Sequence, residues 1–584
     1  MCGIIACYSD GAGHTVFEGL KRLEYRGYDS WGLCFIHNGA LSVRKETGRI
    51  DLAEEKEWPQ IKTCIGHTRW ATHGHVCQEN SHPIFSNNKK IAIVHNGIID
   101  NYQQLRELLK EKGFSFHTET DTEVIPNLIQ FYAQDNEFRQ AVRLAALKLE
   151  GRYAFAALSQ SGKLVAVRNG SPLVLGKGNG FFIASDVFAF NEETKQVLFV
   201  EDGEMIELKP QGFRVFSLQE GKELEKEFQK IGFRIKEADK QGFDYFMLKE
   251  ILEQKESIKR AVEENKPFFE DVAKTVNNSF GTFLVACGTA GKVCQIGTYL
   301  FSRIAQKHVN FSVGSEFPSY EHFLKPETLM LCVSQSGETA DTLEAIKAAK
   351  KKGVKVLSII NAPGTSMERE SEKTLFVHAG PEKCVASTKA TTGQIAILTV
   401  LAYACAGKLE EGLGLMEKTS ADINEMLTED YMQGLKEVAE KIKGFESMYI
   451  IGRGLNYPLA LEAAIKLQEV SYIHAEGFAG GELKHGPIAL IDKGTPCIAL
   501  VANDETKTDI LSNAVEIKSR GGFIIGVAPE NNEIFDVWVK VPDAGNASPI
   551  VNLIPVQLLA YYLATLKGLN PDFPRNLAKC VSVK

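Results

Sequence analysis

Among its 12 cysteines the 584-residue chain has no C-x-x-C pair, and several thiols sit inside apolar runs such as LVACG at 284–288 and LCVS at 331–334. That pattern excludes a disulfide framework and suits buried thiols in a reducing, cytoplasmic setting. A basic excess is also missing. With 66 Lys and Arg against 74 Asp and Glu, net charge -8 and pI near 6.0, nothing favours a nucleic-acid backbone as partner. The longest apolar runs, near 395–407 and 553–566, are too short or too polar to span a bilayer and read as core helices, so no membrane partner is expected. The start, MCGIIACYSD, lacks the basic and apolar regions of a cleaved leader, and Cys580 stands outside a C-a-a-X box.

What is present falls into two textures. The first two hundred residues carry short strand-like runs, GIIACYS, WGLCFIH, IAIVHNG, YAFAALS and KLVAVRN, with few helical patterns between them; this predicts an α+β domain on antiparallel sheets. A charged stretch at 219–241 marks a boundary. Beyond it the pattern becomes strand, glycine turn, helix, and then repeats. FLVACGTAGKV at 283–293 corresponds to MYIIGRGLNYPLA at 448–460, and the strand-helix-strand after TLMLCVS corresponds to the one after TPCIALV. The order of elements, more than residue identity, predicts two copies of one parallel α/β domain. The expected divisions are 1–235, 243–425, 426–569 and an irregular tail at 570–584.

A cysteine directly after the initiator Met can become the first residue, where its own α-amine, with a pKa of about 8, serves as base for the thiol. Position alone equally fits a frayed terminus with an unimportant Cys2. HTRWATHG at 67–74 adds Arg69, a residue suited to gripping a carboxylate, with Thr72, His73 and Gly74. HNGIIDN at 95–101 offers Asn96 and the Gly97 N–H as an oxyanion hole, and TETDTEV at 118–124 offers Asp121 for an ammonium. Each segment has a plainer reading: Asn-Gly as a tight turn, Thr120 and Glu123 as a helix capping box. The histidines at 67, 73, 75, 82 and 95 match no zinc spacing, so neither metal nor cofactor is expected.

In the repeated half, VSQSGETADT at 333–342 places Ser334, Gln335, Ser336 and Thr339 between a strand and a helix. Hydroxyls and free N–H groups there form an anion site, and the absence of a P-loop lysine favours a sugar monophosphate over a nucleotide; simple helix capping is the alternative. Glu462, Lys466 and Glu469 share one stripe of an Ala- and Leu-rich helix. They form either a solvated face or, turned into a cleft, a base Glu469 beside its lysine. GELKHGP at 481–487 adds His485 in a glycine- and proline-bounded loop.

In order, MCGI, RLEYRGYDSWG, HTRWATHG, HNGIIDN and ETDTEV resemble the glutaminase domain of class II glutamine amidotransferases. CGTA, SQSGETADT, VASTKA, the Glu462–Glu469 stripe, GELKHGP and PRNLAKCVSV resemble the paired sugar isomerase domains of the glutamine–fructose-6-phosphate aminotransferase family, so the likeness covers essentially the whole chain. The resemblance implies an N-terminal nucleophile hydrolase sandwich of αββα layers followed by two doubly wound parallel α/β sugar isomerase (SIS) domains. It implies Cys2 as nucleophile, Asn96 and Gly97 as oxyanion hole, and Arg69, Thr72, His73 and Asp121 as glutamine holders. It also implies Thr289, Ser334, Gln335, Ser336 and Thr339 as phosphate ligands and His485 for ring opening, reaching a neighbouring subunit's site in a homodimer. Glu469 would move the proton between C1 and C2, Lys579 would form a Schiff base supported by Lys466, and Trp70 would gate an ammonia passage closed by the tail. The substrates implied are glutamine and fructose 6-phosphate. One departure stands out: the family's CGTS reads CGTA, so Ala290 lacks a hydroxyl. Three alternatives share some of these features: a phosphoribosyl-pyrophosphate amidotransferase, a catalytically silent sugar-phosphate sensor, and an isomerising or deaminating relative acting on another ketose phosphate. The first would need a phosphoribosyltransferase domain in place of the repeat, and the second would not require Cys2, Glu469 and Lys579 together.

Overall fold

The computed structural model describes residues 2–54, 57–210, 212–231 and 239–582. The chain divides into two compact units, residues 1–235 with 580–584 and residues 236–579. The expected boundary at 235 falls in the stretch 232–238, outside the described residues.

The first unit stacks two antiparallel sheets. One runs in the order Gln229–Lys230, Gln196–Phe199, Val174–Lys177, Phe181–Ala184, Gly3–Tyr8, Thr63–Arg69, Ser30–His37, Ala40–Thr47. The other runs Glu223–Leu224, Gly212–Ser217, Glu204–Lys209, Leu164–Asn169, Gly151–Ser159, Ile91–Ile99, Ile84–Phe85. Side chains alternate across a strand, so GIIACY serves two cores at once. Ile4 and Ala6 face the second sheet, where Ala92, Val94, Ala154 and Ala156 keep the layers close. Ile5 and Cys7 face outward onto Val16, Phe17 and Leu20 of the helix Ala12–Arg22. The outer face of the second sheet packs Ile93, Phe155 and Val167 against the helices Tyr102–Glu111, Val124–Tyr132 and Phe138–Ala146. This is the αββα sandwich, and double coverage explains why its central strands read as continuous apolar runs.

The second unit holds two five-stranded parallel sheets with the same order. In the first, Val309–Val313, Gly281–Ala286, Thr328–Ser334, Lys355–Ile360 and Lys373–Phe376 lie side by side. In the second, His474–Ala479, Ser447–Gly452, Pro496–Leu500, Phe523–Ala528 and Val537–Lys540 repeat the arrangement. Each sheet therefore has its order reversal between neighbouring strands, Gly281–Ala286 and Thr328–Ser334 in the first and Ser447–Gly452 and Pro496–Leu500 in the second, where open α/β sheets place ligands beyond the carboxyl ends. One continuous core joins the two repeats, with the helices Gly288–Ala305, Lys389–Cys405, Asn456–Ser471 and Ser548–Leu566 contributing to it. The last differs from the sequence expectation: the stretch Gly545–Leu566 is long and apolar enough to cross a membrane, yet 83% of its apolar window is buried inside the protein. It is a core helix whose every face is covered.

Candidate active sites

Cys2 stands at the edge of the strand Gly3–Tyr8, beside the end of Thr63–Arg69. Its Sγ accepts from the Trp70 N–H at 3.3 Å and lies 3.4 Å from the Trp70 carbonyl. Burial pushes the thiol up from its ordinary value, so it needs a base to become a nucleophile. Across the sandwich, Asn96 Nδ2 donates to the Cys2 carbonyl at 2.9 Å. Asn96 and Gly97 lie inside the strand Ile91–Ile99, paired with Ala154 and Tyr153, so the tight-turn reading of this dipeptide is overturned. Gly97 has φ +127°, and a Cβ there would lie 2.0 Å from the Arg152 carbonyl oxygen; only glycine fits.

The capping-box reading also gives way. Thr120 makes no side-chain cap, and the Glu123 carboxylate instead accepts from the backbone N–H groups of His117 and Thr118. Buried Asp121 accepts from the Ile99 N–H at 2.8 Å, tying this segment to the Asn96 strand. Arg69, 3% exposed, directs its guanidinium onto the carbonyls of His73, Gly74 and His75 and so folds the loop that carries Thr72 and His73. Thr72 is exposed; half-buried His73 has its Nδ1 3.3 Å from the Thr72 hydroxyl. His67, His82 and His95 form a buried cluster of tilted rings behind Asn96, and burial lowers the pKa of each, His67 to about 3.

In the second unit, Thr289 and the 334–339 loop follow the two strands that flank the first order reversal. The loop is braced internally. Ser334 Oγ accepts from the Gly337 N–H at 3.0 Å and lies 3.2 Å from Thr339 Oγ1, while Ser336 Oγ accepts from the Glu338 N–H. The backbone carbonyl of Gln335 accepts from Asn361 and Ala362 N–H groups, and Glu338 accepts from the Ser366 N–H. Gly337 takes φ +65°, with Thr365 where a Cβ would stand. Thr339 precedes the helix Ala340–Lys351 without a side-chain cap, so capping does not account for it. The equivalent loop of the second repeat carries acids: Asp504 and Glu505 pair with Arg303 at 3.0 and 2.7 Å. Both loops thus carry acids, Glu338 turned back onto the Ser366 N–H in the first and Asp504 and Glu505 paired with Arg303 in the second.

The Glu462, Lys466 and Glu469 stripe points inward, not to solvent. Glu462 and Lys466 are fully buried, with Lys466 Nζ 3.4 Å from Glu462 and 2.6 Å from Glu469. Burial drives Glu462 up to about 7, against the pull of Lys466. The same burial opposes the Lys466 charge, but its two carboxylates outweigh it and keep the ammonium charged. Thr289 Oγ1 donates to Glu462 at 3.1 Å, linking the first turn of the helix Gly288–Ala305 to the helix Asn456–Ser471 of the second repeat.

Lys579 lies in a second ionic group that sequence reasoning missed. Its Nζ is 2.5 Å from Glu382, whose carboxylate also accepts from Ser387 Oγ and the Thr388 and Ala390 N–H groups at the start of the helix Lys389–Cys405. Burial raises Glu382, and Lys579 with those N–H groups outweighs it, holding the carboxyl below its usual range. Glu250 next to it goes the other way, raised by burial and by the Glu382 charge. The buried Cys384 thiol lies 3.3 Å from the Pro571 carbonyl oxygen, to which it donates, at the base of the tail that carries Lys579. Nothing periodic in PEKCVASTKA marks Glu382; its proximity to the VASTKA motif was the one available signal. Half-buried Ala290 packs against the core on the first turn of its helix. His485 sits exposed on the short segment Gly480–His485, and among the described residues no hydrogen bond joins it to Glu469, Lys466 or Lys579.

Comparison with known proteins agrees with both halves. A family model described as a glutamine amidotransferase domain matches residues 67–192, and one described as a SIS domain matches 281–404 and 441–567. Glutamine–fructose-6-phosphate aminotransferases (isomerizing) from Thermococcus kodakarensis and Clostridium perfringens are 44% and 40% identical over the full length of both chains. Among solved structures, the C-terminal domain of glucosamine-fructose-6-phosphate aminotransferase from Francisella tularensis matches all of that chain and 58% of this one, at 32% identity and TM-score 0.54. Tagatose-6-phosphate ketose/aldose isomerase from Escherichia coli, at 16% identity and TM-score 0.50 over 58% of this chain and 97% of that one, shares the fold. With full-length identity at this level, the chain belongs to the glutamine–fructose-6-phosphate aminotransferase (isomerizing) family.

Proposed function

We propose that the protein moves the amide nitrogen of glutamine onto fructose 6-phosphate, giving glucosamine 6-phosphate and glutamate. The observation that carries this reading is the full-length 44% identity to an enzyme named for that reaction. The geometry supplies parts for each half. In residues 1–235 Cys2 attacks the amide carbon after Met1 is removed, its own α-amine taking the thiol proton, and Asn96 Nδ2 with the Gly97 N–H receives the oxyanion. Arg69, Thr72, His73 and Asp121 hold the glutamine backbone groups, the first by shaping the 72–75 loop. The SIS domains, 243–425 and 426–569, bind the phosphate at Thr289, Ser334, Gln335, Ser336 and Thr339. His485, reaching a second subunit of a homodimer, opens the ring. Lys579, on the tail 570–584, forms the Schiff base with the open sugar. Glu469 shuttles the proton between C1 and C2, with Lys466 holding its charge. Trp70, whose backbone N–H already touches the thiol, gates the ammonia released there; Trp70→Ala should yield more glutamate than amino sugar. All twelve cysteines are free thiols, which supports a reducing, cytoplasmic home.

The test is isotopic. Glutamine labelled with ¹⁵N at the amide is incubated with fructose 6-phosphate and unlabelled ammonium, and the hexosamine phosphate is weighed by mass spectrometry. Incorporation of ¹⁵N in the wild type and its loss in Cys2→Ala is expected; unlabelled product in both, or no amino sugar, would sink the reading.

A further inference from the structure

Asn96 has a side chain that could present either end of its amide to the thiol side, and the groups around it decide which. The Cys2 carbonyl can only accept, so the amide atom 2.9 Å away must be the NH2 group. The remaining amide atom, Oδ1, faces His67 Nε2 at 3.2 Å. That ring nitrogen also lies 2.8 Å from the His95 backbone carbonyl, another group that can only accept, so Nε2 carries the proton. A donor at Nε2 rejects an NH2 group and accepts Oδ1. His67 is fully buried, its ring centroid 4.2 Å from that of His82, and burial keeps it neutral over the working pH range. The rings behind it are held by one hydroxyl: Thr122 Oγ1 is 3.1 Å from His82 Nε2 and 2.8 Å from His95 Nδ1.

We propose that His67 is a positioning residue for the glutaminase reaction. As an Nε2–H donor, it locks the Asn96 amide with its NH2 toward Cys2, where the oxyanion forms. The proposal rests on the reading of Asn96 as an oxyanion donor. A neutral donor matters because a proton gained at His67 Nδ1 would leave a buried cation next to the developing charge, making the site pH-sensitive. Loss of orientation should act on the transition state and not on substrate binding, since the oxyanion does not exist in bound glutamine.

The test uses the full-length protein with three substitutions at one position. His67→Gln puts an NH2 where Nε2–H stood, His67→Asn puts it nearer Nδ1, and His67→Leu removes it. In glutamine hydrolysis, His67→Leu and His67→Asn should lose about 10- to 100-fold in kcat with KM changed less than about threefold, because a single oxyanion donor is worth roughly 10²–10³. His67→Gln should recover at least about tenfold over His67→Asn. Alkylation of Cys2 by iodoacetamide, a displacement that builds no oxyanion, should proceed at the wild-type rate in all three; a γ-aldehyde analogue of glutamine, which does build one, should bind more weakly in step with kcat. If His67→Leu unfolds the unit and loses Cys2 alkylation, the Gln-to-Asn ratio still decides. Equal kcat for Gln and Asn, or near wild-type kcat in His67→Leu, overturns the proposal. Full hydrolysis by Asn96→Ala would instead overturn the oxyanion reading on which it rests.

Discussion

Around Cys2 the antiparallel unit sets an amide, backbone donors and three histidines that burial keeps uncharged, His67, His82 and His95, alongside the buried Arg69 and Asp121. Around Lys466 and Lys579 the parallel unit buries charges in contact, two carboxylates on the first lysine and one on the second. The difference follows the chemistry proposed for each. A tetrahedral oxyanion is best met by fixed dipoles that need no reorganisation. Ring opening, imine formation and a C1–C2 proton transfer need groups that exchange protons. Buried charges are costly unless paired, which explains why the second unit spends fully buried acids on its lysines. The two lysines also differ from each other. Lys466 is clamped at 0% exposure between Glu462 and Glu469 and suits a fixed charge, whereas Lys579, on an irregular tail, pairs among the described residues with Glu382 alone.

The comparison breaks most visibly at Lys579. Lys579→Met should reduce amino sugar formation by at least about 10³-fold, as removal of a covalent catalyst does, while glutamine hydrolysis continues; a coupled assay for glutamate and hexosamine reads both. Lys466→Met should act on the fold as well as the reaction. It strands Glu462 and Glu469, and breaking such a buried set costs about 3–5 kcal/mol, seen as a fall in the denaturant midpoint of the sugar-binding half. Retained stability there would mean the acids simply take up protons.

Glu462 gives a smaller, pH-dependent signal. Its folded value near 7 lies above the ordinary 4.5, so between those values the native state holds a proton that the unfolded chain releases. Stability therefore falls as pH rises through that window, by up to about 3 kcal/mol at the top of it. Glu462→Gln should flatten the slope between pH 4.5 and 7 in urea titrations, leaving the acid side unchanged. Smallest is Ala290→Ser. If the missing hydroxyl weakens the phosphate site, restoring it should lower KM for fructose 6-phosphate severalfold, in line with roughly 1.5 kcal/mol or more for a hydrogen bond to a charged group. An unchanged KM would mean that the loop at 334–339 already satisfies the phosphate.

The architecture was legible because period and order are local signals. GIIACY announced a strand, and the repeat of strand, glycine turn and helix announced the paired sheets before any side chain was placed. Dipeptide rules failed where tertiary pairing decides: Asn96-Gly97 has turn chemistry but sits mid-strand, paired with Ala154 and Tyr153 across the ladder. The Glu462 stripe left solvent and cleft equally open, and only packing against the helix Gly288–Ala305 of the first repeat settled it. Glu250 and Glu382 were invisible for the same reason. They lie far apart along the chain and meet through Thr388, whose hydroxyl reaches both carboxylates at 3.4 and 3.3 Å. The motif offers Arg69 as a carboxylate grip, and only the structure shows that its guanidinium also holds three backbone carbonyls.

The division of labour between the two buried lysines is tested most directly by reductive trapping. Borohydride is added to the full-length protein with fructose 6-phosphate, and the modified peptide is located by mass spectrometry. The account predicts a single sugar adduct on Lys579, absent in Lys579→Met and unchanged in Cys2→Ala. An adduct on Lys466, or none on Lys579 under turnover conditions, would contradict it.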